Sequence, residues 1–285
     1  MFAENFLRQW VLSPRMFEVL LRAYVESQMI LSSEERKILS KNSIFKDKYK
    51  GKRCFVIGNG PSLNKQDLTP LKGEITIVMN HFHLHPVLQI WQPTFWCLAD
   101  SANCYTPEEI THVKEGMKGV NPEAFFIPIC MKKLDEIEHI FPQGKTYFVK
   151  MALSPQYWNK HKNWEFTSVI PGARSTAHLA LYLAIYLGCS PIYLLGFDHD
   201  WLSHRSIDRH FYPYNKNDFT DEGASQDLSK NSYKSLIEIM LQYWSIYETI
   251  RDYATKKGIK IYNATEGGFL DVFPEINYLD CLKQR

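Results

Sequence analysis

The chain has 285 residues, of which 45% are hydrophobic, and its formal net charge is +2. This composition is ample for a hydrophobic core and excludes a wholly disordered chain, while the small net charge does not favour a nucleic-acid partner. We expect a cytoplasmic protein, because no apolar run approaches the roughly 20 residues of a membrane span, the start lacks the pattern of a signal peptide, and the cysteines form no C-x-x-C pairs.

Residues 1–30 combine aromatic and aliphatic side chains at helical spacing, with a break at Ser13-Pro14. The pattern predicts two short amphipathic helices. Together with the basic residues that follow, these helices are typical of a segment that touches an anionic membrane surface, here its cytoplasmic face. Packing on the main domain or on another subunit would use the same pattern, and we expect a homo-oligomer. Residues 1–50 are therefore predicted to be an N-terminal helical extension and linker, and residues 51–285 a nucleotide-binding domain.

The stretch of residues 54–63 has the pattern of a strand, a tight turn and the start of a helix. Its first four residues are apolar, as expected for a strand buried on both faces of a parallel sheet. The glycines leave the backbone of the turn open to a ligand, and free N–H groups at a helix start can bind an anion. A nucleotide phosphate would fit here, but an ordinary strand-to-helix turn would use the same residues. The turn consists of Gly58, Asn59, Gly60, Pro61 and Ser62.

Polar residues also follow the next predicted strands. Asn80 comes after the strand at residues 74–79, at the position where a dinucleotide-binding fold needs an acidic residue, and Leu63 replaces that fold's third glycine. We therefore exclude a nicotinamide or flavin cofactor. Asp100 follows the strand at residues 94–99, and Asp198 and Asp200 follow the strand at residues 191–195. Carboxylates at strand ends are candidates for a ribose or Mg²⁺ ligand, and equally for a helix cap.

Alternating histidines occupy positions 81, 83 and 85. On a strand they would place three imidazoles on one side, which is a possible metal cluster. Because Pro86 follows directly, the chain is expected to be leaving the strand at this point. We therefore favour a structural role for these histidines over a metal site.

A buried helix is predicted at residues 177–187, since its residues are apolar on nearly every face and Gly188 follows it. Ser175 and Thr176 are suitable N-terminal caps, and Arg174 can reach a phosphate.

Residues 201–227 are polar and aromatic, without a helix or strand pattern. A loop of this length in a compact domain is either disordered or a functional lid, and we predict a lid over about residues 199–228. An amphipathic helix follows from Ser229 to about Gly258, and residues 259–262 form a last strand.

The order of these motifs resembles a known group of enzymes. Gly-Asn-Gly-Pro-Ser-Leu, then Asn80, then Ser175-Thr176 before an Ala/Leu-rich helix, then Ile-Tyr-Leu-Leu-Gly-Phe-Asp198, is similar to the bacterial sialyltransferases that use CMP-sialic acid. The pattern also resembles the flagellin glycosyltransferases called motility-associated factors and the archaeal hydroxymethylpterin diphosphokinases. The resemblance covers about residues 54–274. It implies one Rossmann-like α/β domain with a mostly parallel sheet.

The resemblance to the sialyltransferases also implies roles for individual residues. Gly58, Asn59, Gly60, Ser62, Asn80, Ser175 and Thr176 would hold the nucleotide. A lid histidine would be the general base on the acceptor hydroxyl, either His210 or its rival His204. Tyr212, Tyr214 or Arg174 would stabilise the departing phosphate. No cofactor is required on this interpretation.

Two positions depart from the sialyltransferase pattern. Asp100 stands where those enzymes have asparagine, and Asp200 stands where they have a phosphate-binding tyrosine. With Asp198 they make a set of carboxylates that Mg²⁺ could use to bridge a diphosphate.

Our interpretation is a glycosyltransferase that moves a sugar, for example a nonulosonic acid, from a nucleotide donor to a surface-glycan or protein acceptor. A CMP-linked donor is favoured. One alternative is an Mg²⁺-dependent pterin diphosphokinase that uses Asp100, Asp198 and Asp200. A second alternative is a non-catalytic module that binds a nucleotide-sugar or a glycan.

Overall fold

A computed structural model of the chain describes residues 29–100, 106–152, 163–203, 210–212 and 232–283, with scattered positions between 16 and 27. The strands are β1 (Cys54–Ile57), β2 (Ile75–Met79), β3 (Phe95–Cys97), β4 (Ala124–Pro128), β5 (Thr146–Met151), β6 (Val169–Ile170), β7 (Ile192–Leu195) and β8 (Ile261–Asn263). The α-helices within this part are α1 (Ser33–Ser40), α2 (Pro107–Gly116), α3 (Lys132–Glu138), α4 (Thr176–Tyr186), α5 (Tyr233–Lys256) and α6 (Tyr278–Lys283). Short 3₁₀ helices include Pro61–Lys65 and Asn80–Leu84.

The strands form one parallel sheet in the order β6-β5-β4-β3-β2-β1-β7-β8. The chain runs outward from β1 to β6 on one side, and α4 then carries it back to β7 on the other side of β1. The direction of winding therefore reverses between β1 and β7. In open α/β sheets a crevice forms at such a point, beyond the carboxyl ends of the strands, and ligands bind there. The topology confirms the predicted α/β fold.

Hydrophobic cores cover both faces of the sheet, because successive strand residues point to opposite sides. Cys54 and Val56 of β1 pack on the face covered by α4 and α5, whereas Phe55 and Ile57 pack on the face that contacts α2 and α6. Every residue of α4 except Ala177 is buried. This explains its apolar sequence, since the helix lies between the sheet and α5.

Residues 33–50, which belong to the predicted extension and linker, make close contacts with the main domain. Helix α1 begins with a cap in which the Ser32 hydroxyl accepts a hydrogen bond from the Glu35 N–H. Phe45 lies in the main core, and the Asn42 side-chain amide donates to the backbone oxygens of Phe148 and Phe166 at 2.8 Å each. This segment is therefore packed as part of the domain. The earlier amphipathic helices, including the break at Ser13-Pro14, lie outside the fully described ranges.

Three further expectations concern the alternating histidines, the two long helices and the lid. The histidines at 81 and 83 lie on the 3₁₀ helix Asn80–Leu84, and the strand has indeed ended before them. The predicted helix at residues 177–187 is α4, and the helix expected from Ser229 is α5, which begins at Tyr233 with Ser232 as its cap. Of the predicted lid, only residues 199–203 and 210–212 are described. Across the parts of the chain that the structure describes, no helix combines the length and hydropathy needed to cross a membrane.

Candidate functional site

A pocket of about 180 Å³ lies at the carboxyl edge of the sheet, at the reversal between β1 and β7. It collects predicted site residues from six separate parts of the sequence, which are Gly58, Asn59, Gly60, Asn80, Asp100, Arg174, Ser175, Thr176, Asp198 and His210. Further lining residues are Met79, Ala177, Gly196, Phe197, His199, Trp201 and Tyr243. The remaining described candidates, which do not line it, are Pro61, Ser62, Asp200 and Tyr212. His204 and Tyr214 lie outside the described residues.

The turn after β1 binds a carboxylate of the protein itself, the side chain of Asp198. Asp198 accepts hydrogen bonds from the Ser62 N–H at 2.9 Å and from the Ser62 hydroxyl at 2.8 Å. A Cβ on Gly60 would overlap the Asp198 carboxylate, and one on Gly58 would overlap the Gly196 carbonyl oxygen. The glycines thus admit the loop after β7, and they also line the pocket. The Ser62 amide already has an acceptor, which is the Asp198 carboxylate.

Two asparagines present hydrogen-bond acceptors that no described group satisfies. The Asn59 side-chain amide donates to the Met79 carbonyl oxygen at 3.2 Å, which leaves the Asn59 Oδ1 buried without a partner. The Oδ1 of Asn80 is likewise buried without a partner. Asn80 adopts a left-handed conformation with φ of 48°, which asparagine tolerates better than most residues. Both residues line the pocket, so these two acceptors lie beside the space that a ligand with N–H or O–H donors would occupy.

The N-terminus of α4 supplies positive electrostatic potential to the same pocket. Ser175 is its N-cap residue, but the Ser175 hydroxyl makes no capping bond and lies 3.3 Å from His178 Nδ1 instead. The positive end of the helix dipole and the charge of Arg174 together favour an anion at this point. Tyr243 of α5 also lines this pocket. The pKa of its hydroxyl is raised, mainly by burial; the nearby Arg174 acts in the opposite direction and Asp100 in the same direction.

The described residues 210–212 of the predicted lid are anchored on the β1 turn. The Phe211 N–H donates to the Asn59 carbonyl oxygen at 2.8 Å, and the Phe211 carbonyl oxygen accepts from the Asn64 side chain at 2.9 Å. These bonds place His210 in the pocket wall. The His210 ring stacks on the buried Tyr212, with ring centroids 4.9 Å apart and planes 6° apart.

Some pocket residues were missed from the sequence. His199 follows β7 with φ of 48°, and its Nε2 lies 2.9 Å from the Tyr247 hydroxyl. Burial lowers the pKa of His199 to about 4, so this imidazole is neutral at pH 7. Tyr243, which lines the pocket, and Tyr247, which contacts His199, belong to the amphipathic helix that we predicted from Ser229. The signal available in the sequence was their two hydroxyl groups, since buried tyrosines usually have a polar partner.

The three carboxylates considered for Mg²⁺ do not form a ready site. Asp198 uses both oxygens to accept from Ser62, and burial raises the pKa of Asp100, which favours its neutral form. Asp200 does not line the pocket. Among the residues that the structure describes, no group of three potential ligands close enough to share an ion includes these aspartates. The arrangement as it stands does not fit an Mg²⁺ ion held by all three.

Comparison with known proteins identifies one matching family. A family model described as 6-hydroxymethylpterin diphosphokinase MptE-like matches residues 28–204. No curated protein matches the chain.

Solved structures of two glycosyltransferases are similar to the chain. The sialyltransferase CstII from Campylobacter jejuni, in complex with the substrate analogue CMP-3FNeuAc, is 14% identical over 79% of this chain and 86% of that chain, with a TM-score of 0.48. The MAf glycosyltransferase from Magnetospirillum magneticum AMB-1 is 12% identical over 87% of this chain but only 39% of that chain, with a TM-score of 0.49. At these identities the likeness concerns the fold alone.

Proposed function

The chain belongs to the MptE-like family, and we propose that it is a glycosyltransferase that uses a nucleotide-activated sugar, with a CMP-linked donor favoured. The acceptor would be a surface glycan or a protein. The proposal depends on one observation. In a single pocket, the side chains of Asn59 and Asn80, whose amide oxygens have no partner, lie together with Arg174 and the N-terminus of α4.

The nucleoside would bind at the asparagines. A buried acceptor without a partner costs about 1–3 kcal/mol, so a ligand that satisfies it gains affinity. The Oδ1 atoms of Asn59 and Asn80 would accept from ribose hydroxyls or from the exocyclic amino group of a base such as cytosine. Asn59 is held for this role because its amide group already donates to Met79.

The phosphate would bind at Arg174 and the N-terminus of α4. Negative charge grows on the phosphate as the bond to the sugar breaks, and donors placed there stabilise the transition state. The Arg174 guanidinium, the first N–H groups of α4 and the Tyr243 hydroxyl are the available donors. His210 would take the proton of the acceptor hydroxyl, which a neutral imidazole can do near pH 7.

A pterin diphosphokinase is the second candidate, and the description of the matched family favours it. That reaction would use Mg²⁺ to bridge phosphates, and Mg²⁺ is usually held by one or two carboxylates. The hydrogen bonds that Asp198 already accepts from Ser62, and the position of Asp200 outside the pocket lining, count against this chemistry here.

A donor assay on Asp100→Asn separates the two candidates. The wild-type protein is incubated either with CMP-, UDP- and GDP-sugars or with ATP and hydroxymethylpterin, with and without added Mg²⁺. For the glycosyltransferase we expect nucleotide release from a sugar donor without added Mg²⁺. We also expect Asp100→Asn to retain at least about half of this activity, because asparagine keeps the size and shape of the side chain and burial already raises the pKa of this carboxyl.

The control for the assay is Asp252→Asn, a substitution at an exposed position. Activity restricted to ATP with pterin and Mg²⁺, and lost in Asp100→Asn but not in Asp252→Asn, would establish the diphosphokinase instead.

A further inference from the structure

A cluster of histidines lies next to the nucleotide pocket and takes no part in the function proposed above. His81 and His83 come from the 3₁₀ helix Asn80–Leu84, and His112 comes from α2. Each offers a ring nitrogen, and these three nitrogens lie within 4.8 Å of one another. The ring centroids are 5.3 Å apart for His81 and His83, and 6.0 Å apart from each of them to His112.

His81 is buried and the other two histidines are half-buried, and the ring nitrogens of the cluster are unusual. His81 is 3% exposed, and neither ring nitrogen of His81 or His83 has a hydrogen-bond partner among the described residues. Buried polar groups are nearly always satisfied, by the protein, by water or by an ion. An unsatisfied group costs about 1–3 kcal/mol, so several in one place point to a missing partner that they share.

The packing brings α2 directly onto these rings. A Cβ on Gly116 would overlap the His83 imidazole, so the glycine allows the end of α2 to approach it closely. His112 lies four residues earlier, on the same face of the helix. His85, the third histidine of the alternating pattern, instead stacks on Phe82 and accepts a hydrogen bond from the Val87 N–H. The fold therefore replaces His85 by His112, which is distant in sequence.

We propose that His81, His83 and His112 bind one divalent transition-metal ion of the zinc class. Imidazole nitrogens suit zinc, copper, iron and nickel, whereas Mg²⁺ and Ca²⁺ require oxygen ligands. Zinc binds imidazole at about 2.0–2.1 Å, which puts tetrahedral ligand atoms about 3.4 Å apart, so modest side-chain rotations bring these nitrogens to the ion. Three protein ligands leave one coordination position for water or another small ligand.

The ion would also support the nucleotide pocket. His81 directly follows Asn80, and its ring packs against Tyr212 with centroids 5.8 Å apart. Tyr212 in turn stacks on His210. By fixing the 3₁₀ helix against α2, the metal would hold both Asn80 and the described part of the lid. The metal site itself does not depend on which reaction the pocket carries out.

Metal titration of the untagged full-length protein tests the proposal. After removal of bound metal, Zn²⁺ is titrated in competition with a chelating dye, and Co²⁺ is titrated while visible absorption is recorded. We expect one equivalent of each ion, with the intense visible bands of tetrahedral Co²⁺. His112→Gln should weaken binding by at least about 100-fold, because it removes a ligand. His85→Asn, from the same alternating set, should leave binding unchanged.

Thermal unfolding gives a second measurement if His112→Gln does not fold. Zn²⁺ should raise the unfolding temperature of the wild-type protein and Mg²⁺ should not, since a ligand that binds only the folded state stabilises it. The proposal is overturned if the wild-type protein binds no stoichiometric Zn²⁺ and shows no shift. It is also overturned if a folded His112→Gln binds Zn²⁺ as tightly as the wild type.

Discussion

Replacing Gly60 by alanine is expected to destabilise the protein by about 3 kcal/mol and to abolish nucleotide binding. Gly60 has φ of −63°, so an alanine would be free of backbone strain there. The effect comes from the added methyl group, which would overlap the Asp198 carboxylate. Asp198 would have to leave the two donors of Ser62, and a buried carboxylate without its hydrogen bonds is strongly unfavourable.

Gly73→Ala is the control for this substitution. Gly73 has φ of 86° and no atom close enough to meet a Cβ, so its replacement costs about 1–2 kcal/mol through backbone strain alone. Unfolding in denaturant and nucleotide titration would be measured for both variants. If Gly60→Ala were as stable as the wild type and bound nucleotide normally, the packing of the β1 turn against Asp198 would not be essential to the site.

Replacing His210 by alanine is expected to lower the rate of sugar transfer by about 10²–10⁴-fold with little change in donor affinity. His210 lines the pocket, and the hydrogen bonds of Phe211 to Asn59 and Asn64 fix its position. A general base removes a proton only in the reaction step, so its loss lowers kcat more than it changes binding.

Two further variants distinguish a role of His210 as general base from a purely structural role. His210→Phe keeps an aromatic ring for the stack on Tyr212 but cannot take a proton, so it should be as inactive as His210→Ala. His139→Asn changes an exposed histidine at a left-handed position that asparagine tolerates, and it should retain full activity. An active His210→Phe would show that the ring serves packing only. If His210→Ala changed no activity, a non-catalytic binding module would be the better interpretation.

The fold could be predicted from the sequence because the patterns that indicate its strands and helices are local. The apolar run of β1 and the alternation of buried strands with helices indicate a parallel sheet before any contact is known. Polar residues such as Asn80 and Asp100 directly follow strands, and parallel strands place their carboxyl ends at one edge. Their convergence in one pocket could therefore be predicted.

The partners within the site could not be predicted, because they depend on contacts between distant residues. Asp198 lies 136 positions from Ser62, and no local pattern shows that it fills the β1 turn. His112 belongs to a helix whose sequence gives no sign that it faces His83. Tyr243 has the spacing of a core residue, and only the packing of α5 shows that it reaches the pocket. Residues 33–50 were predicted to belong to an extension and linker because their few buried side chains are separated by polar ones.

The most direct test of the account is calorimetric titration of CMP into the wild-type protein and Arg174→Ala, without added Mg²⁺. We expect saturable binding of one CMP to the wild type. Arg174→Ala should bind about 10- to 100-fold more weakly, because a hydrogen bond to a charged group contributes about 1.5–3 kcal/mol. The control Arg251→Ala, at a half-buried position on α5 outside the pocket, should bind as the wild type does. Absence of CMP binding, together with ATP binding that appears only when Mg²⁺ is added, would contradict the proposed donor site.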